Sequence, residues 1–502
     1  MTRSAADIGA GLAPARAARR IRPGERIHVI GIAGAGASAA ALLAAGAGAV
    51  VSGCDAGGPS PYAPALEAAG IPIAWAHDPE HVTGDPGPDR LAVSKALTAI
   101  DPDHAELAAA RAAGIPIEPW QQVVADAAIG KTLVAVAGTH GKSTTAGWLV
   151  HVLVAAGRDP SAFVGALLPA SITGALPATA RLGRGGLFVV EADEYAGNFD
   201  AYRPDLAVIT NVDFDHPDVF ADRDAVIAAF AAWLDRAPDA AVVVNVGDPG
   251  AQALLERLGV RATPVVRVAV DGAGASDAAR DGGATVESRT PTGTHVVLSL
   301  GRAPGAADLP VDLRLAGDHN VANALLVAAA ADHLGVGTAG IAGDIGSFEG
   351  VGRRLERKGE AAGVVVYDDY GHHPTAIRAT LAAVRQREPG RRVWIAAEPL
   401  TYHRTAALLN ELAAALAEAD GVAVAHIWPG RDPDRTIASS AGLAAAVQAL
   451  APSKKVAAPG DVEPTADWLV GQVEAGDVVL VMGGGHSYVI AERLLELLEE
   501  RQ

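Results

Sequence analysis

The chain has one cysteine, Cys54, in 502 residues. No disulfide framework and no multi-cysteine metal cluster can be built from it, which fits a reducing cytoplasm. No basic residue adjoins Cys54 in the sequence, so it reads as packing and not as a reactive thiol. Aromatic residues are scarce at 4%. The core must therefore come from Ala, Val, Leu and Ile, a composition that suits helices packed on β-branched strands. Positive charge is also short: 40 Lys and Arg stand against 58 Asp and Glu, a net charge of −18. A nucleic-acid partner is not expected, because phosphate backbones require a basic surface. Any bound nucleotide needs cations concentrated locally.

A convincing membrane span is missing too. Residues 32–51 are nearly free of polar side chains, but they are mostly Gly and Ala with only two leucines. Such side chains bury little apolar area, so insertion is weakly driven and no membrane insertion is expected. The first twenty residues carry Arg16, Arg19 and Arg20 after a Gly/Ala-rich start. They lack the apolar core of a signal peptide, and residues 1–24 read as a disordered tail.

What the chain does contain is βα alternation. Short β-branched runs recur at residues 26–31, 132–136, 187–190, 206–211, 240–245, 364–367, 393–396 and 478–482, each followed by turn residues or an Ala/Leu-rich helical stretch. That pattern predicts an α/β protein with parallel sheets covered on both faces. Three blocks are visible: 25–126, 127–345 and 346–502. Within the second, residues 265–316 are rich in Thr, Val, Gly and Asp and read as antiparallel strands.

The first block opens with a strand and the loop Gly34-Ala35-Gly36-Ala37-Ser38-Ala39, with Asp55 about twenty residues on. This is the Rossmann fingerprint: glycines let backbone N–H groups approach a diphosphate, and the acid accepts from a ribose hydroxyl. The loop alone does not say which nucleotide, and NAD, with an oxidoreductase function, is its commonest reading. The second block opens with a strand and the loop Gly138-Thr139-His140-Gly141-Lys142-Ser143-Thr144 at the start of a helix. A Gly-Lys-Ser turn between strand and helix is a P-loop: Lys142 reaches the β- and γ-phosphates of ATP and Ser143 offers a hydroxyl to Mg²⁺. It departs from the full pattern, since Val136 stands where a first glycine is usual. The acid runs Glu191-Ala192-Asp193-Glu194 and Asp213-Phe214-Asp215-His216 each follow a strand of this block, where carboxylates for Mg²⁺ would sit.

Taken together, these motifs resemble the Mur ligases. Further matches are Thr210-Asn211, Gly317-Asp318-His319-Asn320-Val321-Ala322-Asn323, Gly350-Val351-Gly352-Arg353-Arg354 and Asp368-Asp369-Tyr370-Gly371-His372-His373-Pro374. The resemblance covers nearly the whole chain after the tail. It implies three domains: a Rossmann-like domain holding a UDP-sugar in place of NAD, a central P-loop ATPase domain, and a Rossmann-like C-terminal domain that closes over both. The reaction implied is cytoplasmic, ATP- and Mg²⁺-dependent amide formation on UDP-N-acetylmuramate in peptidoglycan synthesis. Residues 31–38, the Gly-Val-Gly-Arg-Arg run and Tyr402-His403-Arg404-Thr405 look most like members that add L-alanine. Members that attach a recycled murein peptide share several motifs and stand second.

Residue by residue, the resemblance puts Gly34, Gly36, Ser38, Asp55 and Ser94, with Lys95 and Ala96, on the UDP-sugar pocket. It puts Gly138 through Thr144 on the ATP phosphates, Ser143 on one Mg²⁺, and Glu191 with His216 on a second. Asn320 and Asn323 match adenine-side contacts, and Arg354 and Asp369 match nucleotide contacts of the third domain. His372 and Arg404 match residues near the incoming amino acid, and Lys142, His216, His372 and Arg404 are the candidate catalytic residues. One of the pair His372-His373 reads equally as a packed or turn-forming residue. Two departures stand out. Ala397-Glu398-Pro399-Leu400 replaces a common Phe-Gln-Pro-His, and Phe230 stands fourteen residues after His216, where many relatives carry a carbamylated lysine near the second Mg²⁺.

Overall fold

The strands are short and dense in valine. Val478–Gly483 reads Val-Val-Leu-Val-Met-Gly and is buried on both faces, as parallel strands between two helix layers must be. A computed structural model describes residues 2–272, 280–301, 308–430, 432 and 434–501. It contains three sheets, drawn in turn from three stretches of the chain, which make three α/β domains.

The first sheet has the strand order Ile73–Ala74, Val50–Cys54, Arg26–Ile30, Arg90–Val93, Ile117–Pro119, parallel throughout. Its centre is where the order reverses, and the first glycine loop leaves from there. The helix Ala35–Gly46 follows, nearly all Gly and Ala, with eight buried residues. Small side chains let it lie close to its own sheet and to the strands Ser161–Leu168 and Ala178–Arg181 of the second domain. Its burial inside protein explains the nearly polar-free run at residues 37–44, while residues 46–48 and Val50 beyond it are exposed. No helix among the described residues is long and apolar enough to cross a membrane.

The second sheet has ten strands. Thr132–Ala137 sits between Leu187–Ala192 and Leu206–Ile209, all parallel. Its far end confirms part of the expectation for residues 265–316 and corrects part. Gly282–Thr290, Gly293–Leu300 and Asp308–Leu313 are antiparallel neighbours. Val265–Val270, however, runs parallel to both of its partners; beside Ala241–Asn245 it does so because the helix Pro249–Leu258 carries the chain back across the sheet first. Residues 273–279 and 302–307 of that stretch lie outside the described residues. The third sheet has five parallel strands with Glu356–Ala361 antiparallel at one edge.

The tail expectation fails. Residues 2–24 pack along the first domain: Ile8 is fully buried, and its carbonyl accepts from Thr98 Oγ1 at 2.7 Å. The reason is electrostatic. Arg90 lies buried between Glu118 Oε2 at 2.7 Å, Asp126 Oδ2 at 2.6 Å and Glu25 Oε1 at 3.1 Å. One guanidinium cannot neutralise three buried carboxylates. Arg16, on Glu118 and Asp126, and Arg19, on Glu25, supply the missing charge.

Candidate active site

The second glycine loop runs from the end of the strand Thr132–Ala137 to the first turn of the helix Lys142–Ala155. Gly141 takes φ 79°, which favours glycine. A side chain on Gly138 would meet Thr210 Oγ1 at 2.0 Å. Thr210 and Asn211 clamp the loop. Thr210 Oγ1 and Asn211 Nδ2 both donate to the His140 carbonyl, at 2.6 and 2.9 Å, and the His140 N–H donates to Asn211 Oδ1 at 2.8 Å. Thr139 through Thr144 line a cleft of about 600 Å³. Backbone N–H groups at a helix start make this wall an anion site.

The Lys142 ammonium donates to the Gly138 carbonyl at 2.6 Å and to Glu194 Oε2 at 3.0 Å. Burial alone would lower its pKa, but Glu194, Asp193 and Glu191 outweigh it and hold the value above the ordinary one. Lys142 is therefore a fixed cation. Ser143 Oγ donates to Glu191 Oε1 at 3.0 Å, while Glu191 Oε2 accepts from the Gly165 N–H at 2.6 Å. Across from them stand Asp193, Glu194 and His216, whose ligand atoms lie within 4.8 Å of one another. Burial pushes Glu194 up to about 7. The two acid positions are thus divided: Glu191 stands with Ser143, and His216 stands with Asp193 and Glu194.

The third domain forms the opposite wall. The Arg354 guanidinium crosses to Ser143 Oγ at 3.0 Å and lies 4.8 Å from the Tyr370 ring centre. Its neighbour Arg353 turns away to Asp368, Gly483 and Ser487 and holds the third domain together. Both oxygens of Asp369 are occupied by backbone, accepting from the Leu355 and Gly371 N–H groups at 2.7 Å each. Asp369 therefore shapes the loops that carry Arg354 and Tyr370. Arg404, buried, donates to Asp215 Oδ1 at 2.7 Å and to His216 Nδ1 at 3.2 Å. Burial would raise Asp215, yet Arg404 and the nearby histidines hold it well below the carboxylate range.

The histidine pair divides its work. His373 Nε2–H donates to the Phe214 carbonyl at 3.1 Å, and its Nδ1 accepts from the Thr375 N–H at 3.3 Å as a helix cap. Both of its nitrogens are spent. His372 donates from Nδ1 to the Tyr370 carbonyl at 2.9 Å, which leaves Nε2 with a lone pair, and burial keeps the ring neutral. Asn320 and Asn323 line the same cleft. Asn323 donates to Asn320 Oδ1 at 3.2 Å, and its own Oδ1 would stand 2.8 Å from a Cβ on Gly141. These two residues back the phosphate loop.

A smaller cavity of about 200 Å³ adjoins the cleft, lined by Gly31, Gly34, Gly36, Ser94, Lys95 and Trp120 among others. Lys95 donates to the Ala196 carbonyl at 2.7 Å, and burial lowers its pKa to about 8. Ser38 is not in this cavity. It is fully buried, bonded to the Ala35 carbonyl and Thr179 Oγ1 at 3.0 Å each. Asp55 does not line it either. Its carboxylate accepts from the Ala33 and Gly57 N–H groups at 3.0 and 2.8 Å, so it braces the glycine loop. Gly36 has no side chain because the Trp120 ring lies there, 2.2 Å from where a Cβ would stand. The Trp120 ring in turn packs edge-on against Phe163 of the second domain.

Comparison with known proteins agrees across the length of the chain. Residues 26–132 match the Mur ligase family catalytic domain, 136–331 the Mur ligase middle domain, and 353–485 the Mur ligase glutamate ligase domain. A UDP-N-acetylmuramate–L-alanine ligase of Frankia casuarinae is 37% identical, over 94% of this chain and 98% of that one. One from Kineococcus radiotolerans is 40% identical, over 95% and 97%. The chain belongs to the Mur ligase family. Among solved structures of that fold, the UDP-N-acetylmuramate–alanine ligase of Thermotoga maritima superposes with a TM-score of 0.76 at 24% identity, covering 95% of this chain and 100% of the other. A murein peptide ligase of Psychrobacter arcticus gives 0.72 at 26% identity, covering 95% and 99%.

Two features of the site are visible only in the fold. In the sequence Glu194 is one acid of a run; in the fold it lies 3.0 Å from Lys142 Nζ and 4.0 Å from His216 Nε2, and Asp193 stands 3.6 Å from the same ammonium. Thr210-Asn211 is a motif in the sequence, but its grip on the loop across some seventy residues comes from the fold. Phe230, in the place of a lysine, is fully buried and packs edge-on to Phe199.

Proposed function

We propose that this Mur ligase joins L-alanine to the lactyl carboxylate of UDP-N-acetylmuramate, with ATP as co-substrate and an acyl phosphate as intermediate. The observation that carries the reading is the convergence in one cleft of Lys142 and Ser143 from the second domain with Arg354, His372 and Arg404 from the third. It is supported by full-length relatives named for that reaction. The smaller cavity beside Gly34 and Ser94 opens toward the same cleft, sharing Gly36, Trp120 and Gln121, and takes the UDP-sugar.

A carboxylate is a poor electrophile, since its leaving group would be oxide. A lactyl oxygen attacks the γ-phosphorus in line and ADP leaves. The amine of alanine then attacks the acyl carbon, and phosphate departs from the tetrahedral species with the C–O electron pair. All partners but the amine are anionic, so closely held cations lower the barrier. Lys142 and the loop N–H groups hold the transferring phosphoryl group. Arg354 approaches it from the opposite wall. Arg404, fixed by Asp215, supplies positive charge beside His216. His372 Nε2, neutral and unoccupied by protein, accepts the proton that the amine must lose.

The donor set fits Mg²⁺, a hard cation that prefers oxygen: Ser143 and Glu191 on one side, Asp193 and Glu194 with His216 on the other. When bound, Mg²⁺ neutralises phosphate charge. The deciding assay is phosphate release from ATP with UDP-N-acetylmuramate and, in parallel, L-alanine, other amino acids and a murein tripeptide. Release that needs both UDP-N-acetylmuramate and L-alanine is expected. A preference for the tripeptide would reassign the amine, and tight NAD binding without UDP-sugar binding, measured by calorimetry, would reassign the first domain.

A further inference from the structure

Behind the first glycine loop, on the face of the first sheet away from the active-site cleft, the lone cysteine is not alone. Cys54 ends its strand with Sγ 3.4 Å from His28 Nε2 on the neighbouring strand and 3.2 Å from Glu106 Oε2. Glu106, at the start of the helix Ala105–Ala113, accepts from His81 Nδ1 at 2.7 Å. The ligand atoms of His28, Cys54, His81 and Glu106 all lie within 4.8 Å of one another. Two more imidazoles border them. His77 Nδ1 is 3.2 Å from Sγ, and His104 packs edge-on to His77 with its buried Nδ1 lacking a partner in the structure. The sequence expectation that nothing basic adjoins Cys54 therefore fails in space, because strand order and a helix crossover bring residues 28, 77, 81, 104 and 106 to it.

Such a cluster is expensive for a fold to keep as mere packing. Polar groups buried behind a sheet cost stability unless each is fully satisfied, and the buried His104 Nδ1 has no partner in the structure. We infer that His28, Cys54, His81 and Glu106 form a tetrahedral site for a zinc-class transition-metal ion.

The chemistry of the donors selects the ion. A thiolate and two imidazoles are soft to borderline ligands that favour Zn²⁺ over the Mg²⁺ of the active site. One thiolate and one carboxylate balance the dication, so the loaded site is neutral and tolerates burial. Zinc bonds of about 2.0–2.3 Å put neighbouring ligand atoms about 3.3–3.8 Å apart, and Sγ already stands 3.4 Å from His28 Nε2 and 3.4 Å from Glu106 Oε1. His28 Nδ1 lies 2.9 Å from Ser52 Oγ, the kind of outer contact that fixes a ring with its other nitrogen toward a metal. His77 and His81 are about one quarter exposed and open a route from solvent.

An ion there would tie the middle of the strand Arg26–Ile30 and the end of the strand Val50–Cys54 to the helices Glu80–Thr83 and Ala105–Ala113. The Cys54 carbonyl accepts from the Gly31 and Ile32 N–H groups at 2.8 and 3.2 Å, so the tie lies directly beneath the first glycine loop.

Cobalt decides the question, because Cys54 is the only cysteine and a thiolate-to-Co²⁺ charge-transfer band reports this site alone. The full chain, stripped by chelator and titrated with Co²⁺, is expected to show that band with tetrahedral d–d absorption at one ion per chain. Zn²⁺ should displace the Co²⁺ and raise Tm by several degrees. Cys54→Ala should lose the band, and His81→Gln, at a partly exposed position that the fold tolerates, should weaken Zn²⁺ binding at least tenfold by competition with a chromophoric chelator. A wild-type chain with no charge-transfer band, or one that retains no more Zn²⁺ on elemental analysis than His81→Gln does, overturns the proposal.

Discussion

The guanidinium of Arg354 donates to the hydroxyl of Ser143 across 3.0 Å, although the two residues are 211 positions apart. This bond joins the third domain to the phosphate loop of the second. The same hydroxyl donates to Glu191, so Ser143 is held from both sides. Ser143 would hold Mg²⁺ only by exchanging these partners, which would leave Arg354 to meet the γ-phosphate of bound ATP. Arg354→Ala is expected to lower kcat by ~10²–10³-fold, the usual cost of removing one charge stabiliser of a transition state. UDP-sugar affinity should stay within about twofold, because the smaller cavity proposed to take it does not include Arg354. Arg354→Lys should recover only part of the rate, since an ammonium lacks the planar fork. Calorimetry for binding and phosphate release for turnover separate the two effects. A kcat within threefold of wild type in Arg354→Ala would remove this residue from the mechanism.

Lys142 is held in its charged form by Glu194 and its acidic neighbours. Lys142→Ala should abolish acyl-phosphate formation, with a loss of at least ~10³-fold in kcat. Binding of UDP-N-acetylmuramate to the first domain should persist. The removal also leaves Glu194 buried without its cation, so a lower Tm is expected alongside the lost rate. Glu194→Gln in the same background should restore Tm without restoring turnover.

Phe230 is buried against Phe199, in the position where many family members carry a carbamylated lysine. A phenyl ring takes up no carbon dioxide. Turnover should therefore be the same in bicarbonate-depleted and bicarbonate-supplemented buffer, while it rises steeply with Mg²⁺. His216→Ala should lose most activity. Stimulation by bicarbonate after depletion would show that another amine has taken the lysine's place.

Acid stability tests the packed N-terminal segment. The Arg19 guanidinium, outweighing burial, holds Glu25 down to about 2 from an ordinary 4.5. A carboxylate lowered in the folded state stabilises fully above the unfolded value and loses that contribution as the pH falls through the folded one. Between pH 4.5 and 2 the unfolding free energy should drop by on the order of 3 kcal/mol more in wild type than in Glu25→Gln. Urea unfolding across that window measures the difference. Equal slopes in the two proteins would mean that Arg19 does not pair with Glu25 in solution.

Several features were legible in the sequence by itself because their causes are local. A strand followed by Gly138-Thr139-His140-Gly141-Lys142-Ser143 specifies a phosphate loop, since the φ of Gly141 favours glycine and a helix start presents the N–H groups. Continuous valine runs specify strands buried on both faces, and their alternation with Ala-rich helices specifies parallel sheets. The α/β class, the three domains and the family follow from such signals. Contacts between distant side chains do not. Gly36 read as room for a diphosphate, yet the Trp120 ring occupies the space beside it. Ser38 read as a ligand contact, yet its helix turns it into the seam with Thr179. Arg16 read as part of a loose tail until Glu118 and Asp126 drew it onto the first sheet. Cys54 read as isolated until four imidazoles and Glu106 closed around it. Local sequence determines how the backbone turns, because sterics and periodicity act over a few residues. Which buried charges and ligands meet is decided by strand order and helix crossovers, which bring together residues tens to hundreds of positions apart.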